Sequence, residues 1–128
     1  MRILLDTHIF LWYVNGDKRL SNTWRDHIRS LENEVYLSVV SIWETMIKYQ
    51  LGKLPMPQPP EIYLPNHRTQ HQILSLALDE PSVTYLAQLP PLHRDPFDRI
   101  LICPANVHGL SIMTDDNIVR KYPVAVFT

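Results

Sequence analysis

Cysteine is nearly missing from this chain of 128 residues, where Cys103 stands alone. A single thiol excludes an internal disulfide framework and a zinc module built on cysteine pairs, and it suits a reducing cytoplasm. Glycine is scarce as well. With only Gly16, Gly52 and Gly109 available, neither G-x-G-x-x-G nor G-x-x-x-x-G-K-[ST] can be written, so a glycine-rich cradle for a nucleotide cofactor is excluded. No uncharged apolar stretch reaches the roughly 18 residues that a membrane-spanning helix needs. The apolar N-terminus MRILLDTHIFLWYV is broken at Asp6 and His8, and no small-residue cleavage site follows it, so it does not read as a signal peptide. Strong charge of one sign is lacking too, since 12 Lys+Arg offset 13 Asp+Glu for a net charge of −1. That excludes the broad basic footprint of a protein held on nucleic acid by charge alone, but not a local basic face.

What remains is an ordinary globular composition, 45% hydrophobic and 20% charged, of a length that suits one domain over residues 1–128. Proline is the one oddity. Five of the eleven prolines fall in LPMPQPPEIYLP, between Pro55 and Pro65. Neither flank is long enough for a comfortable separate core, so this stretch reads as a surface connection inside one domain.

The predicted elements alternate. Arg2–Leu5 reads as a strand, followed by a helical turn through Phe10 and Tyr13. Ser21 is placed to cap a helix with Trp24, Ile28 and Leu31 on its apolar face. Val35–Val40, β-branched and aromatic, reads as a strand. Ser41-x-x-Glu44 then reads as the capping box of an amphipathic helix that stops at Gly52. Ile73–Leu78 fits a strand or a helix end equally. Asp79-Glu80-Pro81 opens a helix through Val83, Leu86 and Ala87, and Asp95-Pro96 opens another running to His108-Gly109, with Pro104 expected to kink or shorten it. Leu110–Met113, Asn117–Tyr122 and Val124–Phe127 read as strand, short helix and strand. Short strands and helices in alternation indicate an α/β fold with a mainly parallel sheet and helices on both faces.

On that layout the acids cease to look scattered. Asp6 ends the first strand, Glu44 lies one helical turn beyond the second, Asp98 sits in the first turn of a later helix, and Asp115-Asp116 follow Leu110–Met113. Strand carboxyl ends form the ligand crevice of an open parallel sheet, so acids from distant parts of the chain can meet there. Carboxylates gathered this way repel one another unless a cation lies among them, and oxygen ligands select a hard ion such as Mg²⁺ or Mn²⁺. Water on such an ion is a nucleophile suited to phosphate. Taken singly, each acid has a plainer role: Glu44 in a capping box, Asp95 as a helix cap, Asp98 as a first-turn acid, Asp115 and Asp116 as caps. Asp6 is the hardest to dismiss, since it ends an apolar strand with no obvious partner, and the four positions together favour the metal site.

At these residues the chain resembles a known family. LLDTHIFLW, SVVSIWE…IKYQLGKL, HRDPFDRILI and MTDDNIVRKYPV are similar, in order, to the motifs of PIN-domain proteins, above all the VapC-type toxins of bacterial toxin–antitoxin pairs. The likeness runs from Ile3 to Phe127 and weakens between Pro57 and Ser75. It implies a three-layer α/β/α sandwich around a mainly parallel, twisted sheet. It also implies cleavage of RNA with Mg²⁺ or Mn²⁺ at an acidic quartet, here Asp6, Glu44, Asp98 and Asp116, which would serve as metal ligands and catalytic groups. A cognate protein antitoxin and a homodimer come with the family; beside the quartet, Thr7 and Thr114 are placed to orient ligands or to bind a bridging water. Two departures stand out. Pro104 intrudes where the family continues a regular helix, and Pro57–His71 replaces a regular helix with a proline-rich segment.

Other signals weigh less. His67 and His71 have the spacing of two zinc ligands but lack a third. His8 follows the first acid and fits a packing or substrate role. Cys103, flanked by Ile100-Leu101-Ile102, reads as an inert buried thiol. Trp12, Trp24 and Trp43 read as core residues, and Arg94 and Arg99 as candidate phosphate contacts. A small-molecule phosphohydrolase is the competing enzyme class, although Asp6-Thr7-His8 lacks the second acid of D-x-D; a non-catalytic PIN-like RNA- or protein-binding module is the other. If the quartet is set aside as ligands, nine acids remain against 12 bases. The neutral balance then divides into an acidic site and a mildly basic surround.

Overall fold

A computed structural model describes all residues 1–128. Its order is β1 (Arg2–Leu5), α1 (Thr7–Asn15), α2 (Asn22–Arg29), β2 (Glu34–Ser38), α3 (Val39–Gln50), α4 (Pro60–Gln70), β3 (Leu74–Leu76), α5 (Glu80–Thr84), α6 (Pro96–His108) and β4 (Ser111–Met113). The four strands form one sheet in the order β3-β2-β1-β4, and every pairing is parallel. A parallel sheet needs both faces covered. Along β1 the side chains alternate accordingly: Ile3 and Leu5 join a cluster with Ile9, Phe10, Ile28, Tyr63 and Leu64, whereas Leu4 joins Ile100, Leu101, Ile102 and Leu110. Helices α1, α2 and α4 thus cover one face and α6 the other, which is the expected α/β/α sandwich.

Several boundaries differ from the sequence reading, each for a local reason. The second strand stops at Ser38 rather than Val40, because the Ser38 hydroxyl accepts the Val40 N–H at 3.0 Å and starts α3 there. The cap overrides the β-preference of Val39 and Val40. Ser41 is therefore an interior helical residue, not the opening of a capping box, and Glu44 is freed for another role. Helix α2 does start at Ser21, whose hydroxyl accepts from Trp24 N, but it ends at Arg29, leaving Leu31 88% exposed. The proline-rich stretch is a helix from Pro60 onward, since Pro60 occupies the first turn, where a missing N–H costs nothing. Ile73–Leu78 resolves into the three-residue β3. The helix after Asp79 tightens into a 3₁₀ turn at Tyr85–Gln88, and Asn117–Tyr122 yields only the 3₁₀ turn Val119–Lys121. The last predicted strand is reduced to a single parallel bridge, Ile112 to Val126. Helix α6 keeps its full expected length through Pro104 and ends at Gly109, whose φ of 69° is the left-handed conformation that closes a helix.

Candidate active site

Four chain segments deliver acids to the carboxyl edge of the sheet. Asp6 follows β1 directly, its amide still in the ladder through a 3.0 Å bond to the Met113 carbonyl, and its side chain caps α1. Glu44 projects from the second turn of α3. Asp98 lies in the first turn of α6, which Asp95 caps through Phe97 N. Asp116 comes three residues after β4. All four line one polar crevice of about 350 Å³, together with His8, Trp12, Lys48, Asp95 and Asp115. The predicted quartet is therefore brought together. Arg94 and Arg99 do not line it, so the cation in the crevice is Lys48, which the sequence reading had not singled out.

Each carboxylate is held differently. Asp6 is 4% exposed; its two oxygens accept from Thr7 N at 2.7 Å and from the Thr114 hydroxyl at 2.6 Å. Burial still raises its pKa, with those two hydrogen bonds and the charge of His8 working the other way. Glu44 accepts from the Thr7 hydroxyl at 2.9 Å and forms a 2.6 Å ion pair with Lys48 one turn along the helix. The Ser41 hydroxyl, 2.8 Å from that of Thr7, completes the contact. Burial disfavours the Lys48 ammonium, yet Glu44 outweighs it and raises the lysine's pKa. Asp116 Oδ1 accepts from Ile118 N at 2.8 Å and Val119 N at 3.2 Å. Burial opposes ionisation there as well, but these amides and His93 overcome it and lower the pKa.

Asp98 is the exception. Its only partner is His93, whose Nε2 lies 3.0 Å from Oδ2. Burial, followed by the charges of Asp6, Asp95 and Glu44, pushes its carboxyl up to about 7. Its Oδ1 is left without a protein donor, the freest ligand oxygen of the quartet.

His93 is the residue that sequence reasoning missed most plainly. Its Nε2 also reaches Asp116 Oδ2 at 3.3 Å, so one imidazole joins two acids from different elements. Asp95 N donates to its Nδ1 at 3.0 Å and His93 N donates to the Tyr122 hydroxyl oxygen at 2.7 Å. An Nδ1 that accepts leaves the ring proton on Nε2, so His93 donates toward the carboxylates. The signal was its place in HRDPFDR, two residues before the cap of α6, but proximity to Asp116 is invisible in a linear chain. Nε2 and one oxygen of each acid lie within 4.8 Å of one another, a spacing compatible with a cation between the carboxylates. Oxygen donors and uncompensated negative charge fit a hard divalent ion. Asp98 and Asp116, with His93, are the groups brought within that distance, and Asp6 and Glu44 line the same crevice.

Of the remaining sequence candidates, His67, His71 and Cys103 have packing roles, whereas Trp43, expected in the core, is 53% exposed because it faces outward from α3. His67 and His71 stack with ring centroids 5.9 Å apart, and Tyr63 packs against His67 at 4.2 Å. Cys103 is fully buried, and that burial pushes its thiol up to about 11.

Comparison with known proteins matches this arrangement to a family. The family model for the PIN domain matches residues 3–125. The chain belongs to the PIN-domain family. Among sequence relatives, Ribonuclease VapC16 of Mycobacterium tuberculosis (strain ATCC 25618 / H37Rv) is 36% identical over 58 residues. That match covers 45% of this PIN domain and 41% of the relative's own length. Among solved structures, the crystal structure of VapBC2 from Rickettsia felis bound to a promoter DNA fragment superposes with a TM-score of 0.74 at 14% identity, covering 100% of this chain and 98% of that one. DNA-bound VapBC from Salmonella typhimurium gives 0.68 at 14% identity, with 100% and 97% covered. FitAcB from Neisseria gonorrhoeae gives 0.59 at 23% identity, with 98% and 96% covered. At these identities the likeness concerns the fold, and it spans the whole PIN domain, including the stretch between Pro57 and Ser75. No helix is long and apolar enough to cross a membrane.

Proposed function

We propose that this PIN domain is a Mg²⁺- or Mn²⁺-dependent endoribonuclease, the toxin of a toxin–antitoxin pair, acting in the cytoplasm as a homodimer. The observation that carries the reading is the meeting of Asp6, Glu44, Asp98 and Asp116, from four separate segments, in one crevice where Asp98 is pushed up to about 7. Negative charge concentrated so far beyond its compensation is costly unless a cation relieves it.

Asp98, with its free Oδ1, and Asp6 are the primary ligands in this reading; Glu44 and Asp116 act directly or through water. A bound ion supplies Lewis acidity, lowering the pKa of an attacking water and offsetting charge on the leaving oxygen. The chain's own groups do the positioning. Thr114 and Thr7 fix the two oxygens of Asp6, the Thr7 hydroxyl, itself in contact with Ser41, fixes Glu44, and His93 spans Asp98 and Asp116. Lys48 is the one ammonium that faces a phosphodiester entering the crevice. A nucleophilic-aspartate phosphohydrolase fits less well, since His8 stands where D-x-D needs a second acid. The relative's name, a ribonuclease, supports RNA as substrate. Likeness to the VapBC and FitAcB structures supports a protein antitoxin that blocks the crevice, with an arginine as the natural plug for its carboxylates.

The test uses purified, antitoxin-free protein and a panel of structured and single-stranded RNAs. Cleavage should require Mg²⁺ or Mn²⁺, stop with chelator, and fall at least about a hundredfold in Asp98→Asn, the scale of losing a centre that stabilises transition-state charge. Undiminished cleavage by Asp98→Asn would sink the site assignment. No cleavage of any RNA by the wild type would sink the enzyme.

A further inference from the structure

Beside the acidic crevice lies a second pocket of about 430 Å³, lined by Trp12, Arg19, Leu20, Ser21, Trp24 and Asp115. Trp12 and Asp115 line both pockets. The two therefore adjoin across these residues as neighbouring halves of one trough, carboxylates on one side and indoles on the other. Trp12 stands one helical turn after His8 on α1, and Trp24 comes from the first turn of α2. Both are only partly buried and rest on the core cluster of that face. Trp24 is braced by the edge of Phe127, ring centroids 6.1 Å apart.

Cations frame the indoles. The Arg19 guanidinium sits 4.9 Å from the Trp12 ring centroid, and Arg120 sits 5.9 Å from that of Trp24. Asp17 engages Nε and Nη2 of Arg19, leaving its Nη1 edge uncommitted on a side chain that is 68% exposed. Arg120 is fixed by the Thr114 carbonyl, again through Nε and Nη2.

We propose that this trough is a nucleobase subsite, in which a base of single-stranded RNA next to the scissile phosphate stacks on Trp12 and Trp24 while Arg19 meets the adjoining phosphate. The inference rests on the ribonuclease reading of the crevice and deepens it. Every base has a flat π face, so indoles hold single-stranded nucleic acid without demanding one sequence. A chain with a net charge of −1 has no broad basic field to collect RNA, so affinity must come from local contacts of this kind. An apolar peptide side chain would use the apolar wall but not the free guanidinium edge. An alternating aromatic and phosphate ligand uses both, and its phosphate is delivered toward the carboxylate end.

The experiment takes a single-stranded RNA that the wild type cleaves, together with a series carrying one abasic site stepped through each position. One position beside the cut should raise KM by about five- to a hundredfold, the range of one lost stacking contact, with kcat changed less. Arg19→Gln and Trp24→Leu should weaken cleavage of the intact RNA yet add little on the abasic one. Titrating the same RNA into chelated protein should quench tryptophan fluorescence. If the wild type cleaves but neither the abasic series nor Arg19→Gln moves KM, the subsite is refuted and the ribonuclease reading stands. If the wild type cleaves nothing, the enzyme reading fails, and absent quenching by RNA then refutes the subsite too. Quenching by an acidic, phenylalanine-rich peptide but not by RNA overturns it in favour of a protein occupant. Should Trp24→Leu fail to fold, the abasic series and Arg19→Gln, at an exposed position, still decide.

Discussion

Replacing Asp98 by Asn should make the metal-free protein more stable, and more so at high pH. An ordinary aspartate titrates near 4, whereas burial and the charges of Asp6, Asp95 and Glu44 hold Asp98 up to about 7. Between those values the folded state binds a proton that the unfolded chain has released. Stability therefore falls as pH rises from about 4 to about 7, and the full penalty applies above that. A gap of about 3 units at about 1.4 kcal/mol each amounts to about 4 kcal/mol at pH 8. The side chain is 14% exposed, so solvent screening trims rather than removes this, and a gain of about 2–4 kcal/mol is expected. Asn keeps the shape and can still accept from His93 through its carbonyl oxygen, so the charge is the main change. Urea unfolding in chelator at about pH 5 and pH 8 measures it: the variant should gain at the higher pH and little at the lower. Added Mn²⁺ should then stabilise the wild type by mass action and the variant much less. A variant no more stable than wild type at pH 8, or equally stabilised at both values, would refute the view of the crevice as a site of unrelieved charge.

Thr114→Val removes the 2.6 Å donor to the buried Asp6 and should cost about 1.5–3 kcal/mol in urea unfolding, with Thr114→Ser close to wild type. His93→Ala frees Asp98 and Asp116 from their shared donor. In the proposed metal site His93 would position two ligands, so the Mn²⁺ concentration for half-maximal cleavage should rise, with the RNA KM little changed; an unmoved metal dependence would rule that role out. Native Cys103, with its thiol buried and pushed up to about 11, should resist iodoacetamide at pH 8 and react once the chain is unfolded in urea.

Much of this was legible in the linear chain because it depends on short-range patterns. The apolar run Ile3-Leu4-Leu5, the caps Ser21, Asp79 and Asp95, and the stop at Gly109 act within a few residues of chain, so α6 was bounded correctly from its own residues. Asp6 and Asp116 were legible as acids at strand ends, a position that parallel topology turns into a crevice. The extent of the short elements was not legible. Whether Val39 and Val40 continue a strand or start a helix is decided by Ser38 turning the chain at the sheet edge. The proline-rich stretch became a helix because Tyr63 and Leu64 bury against the core of the first face.

Composition and spacing alone determined the class of the molecule: an α/β chain without disulfide, nucleotide cradle or membrane helix, carrying acids at strand ends. Tertiary structure alone decided which groups act on those acids. His93 and Asp116 are 23 residues apart, and Thr114 and Asp6 are 108 apart. Contacts at such separations exist only after the sheet places β4 beside β1. Carboxylate pKa values depend on burial and on charges a few ångströms away, and so the chemical character of Asp98 belongs to the fold and not to its motif.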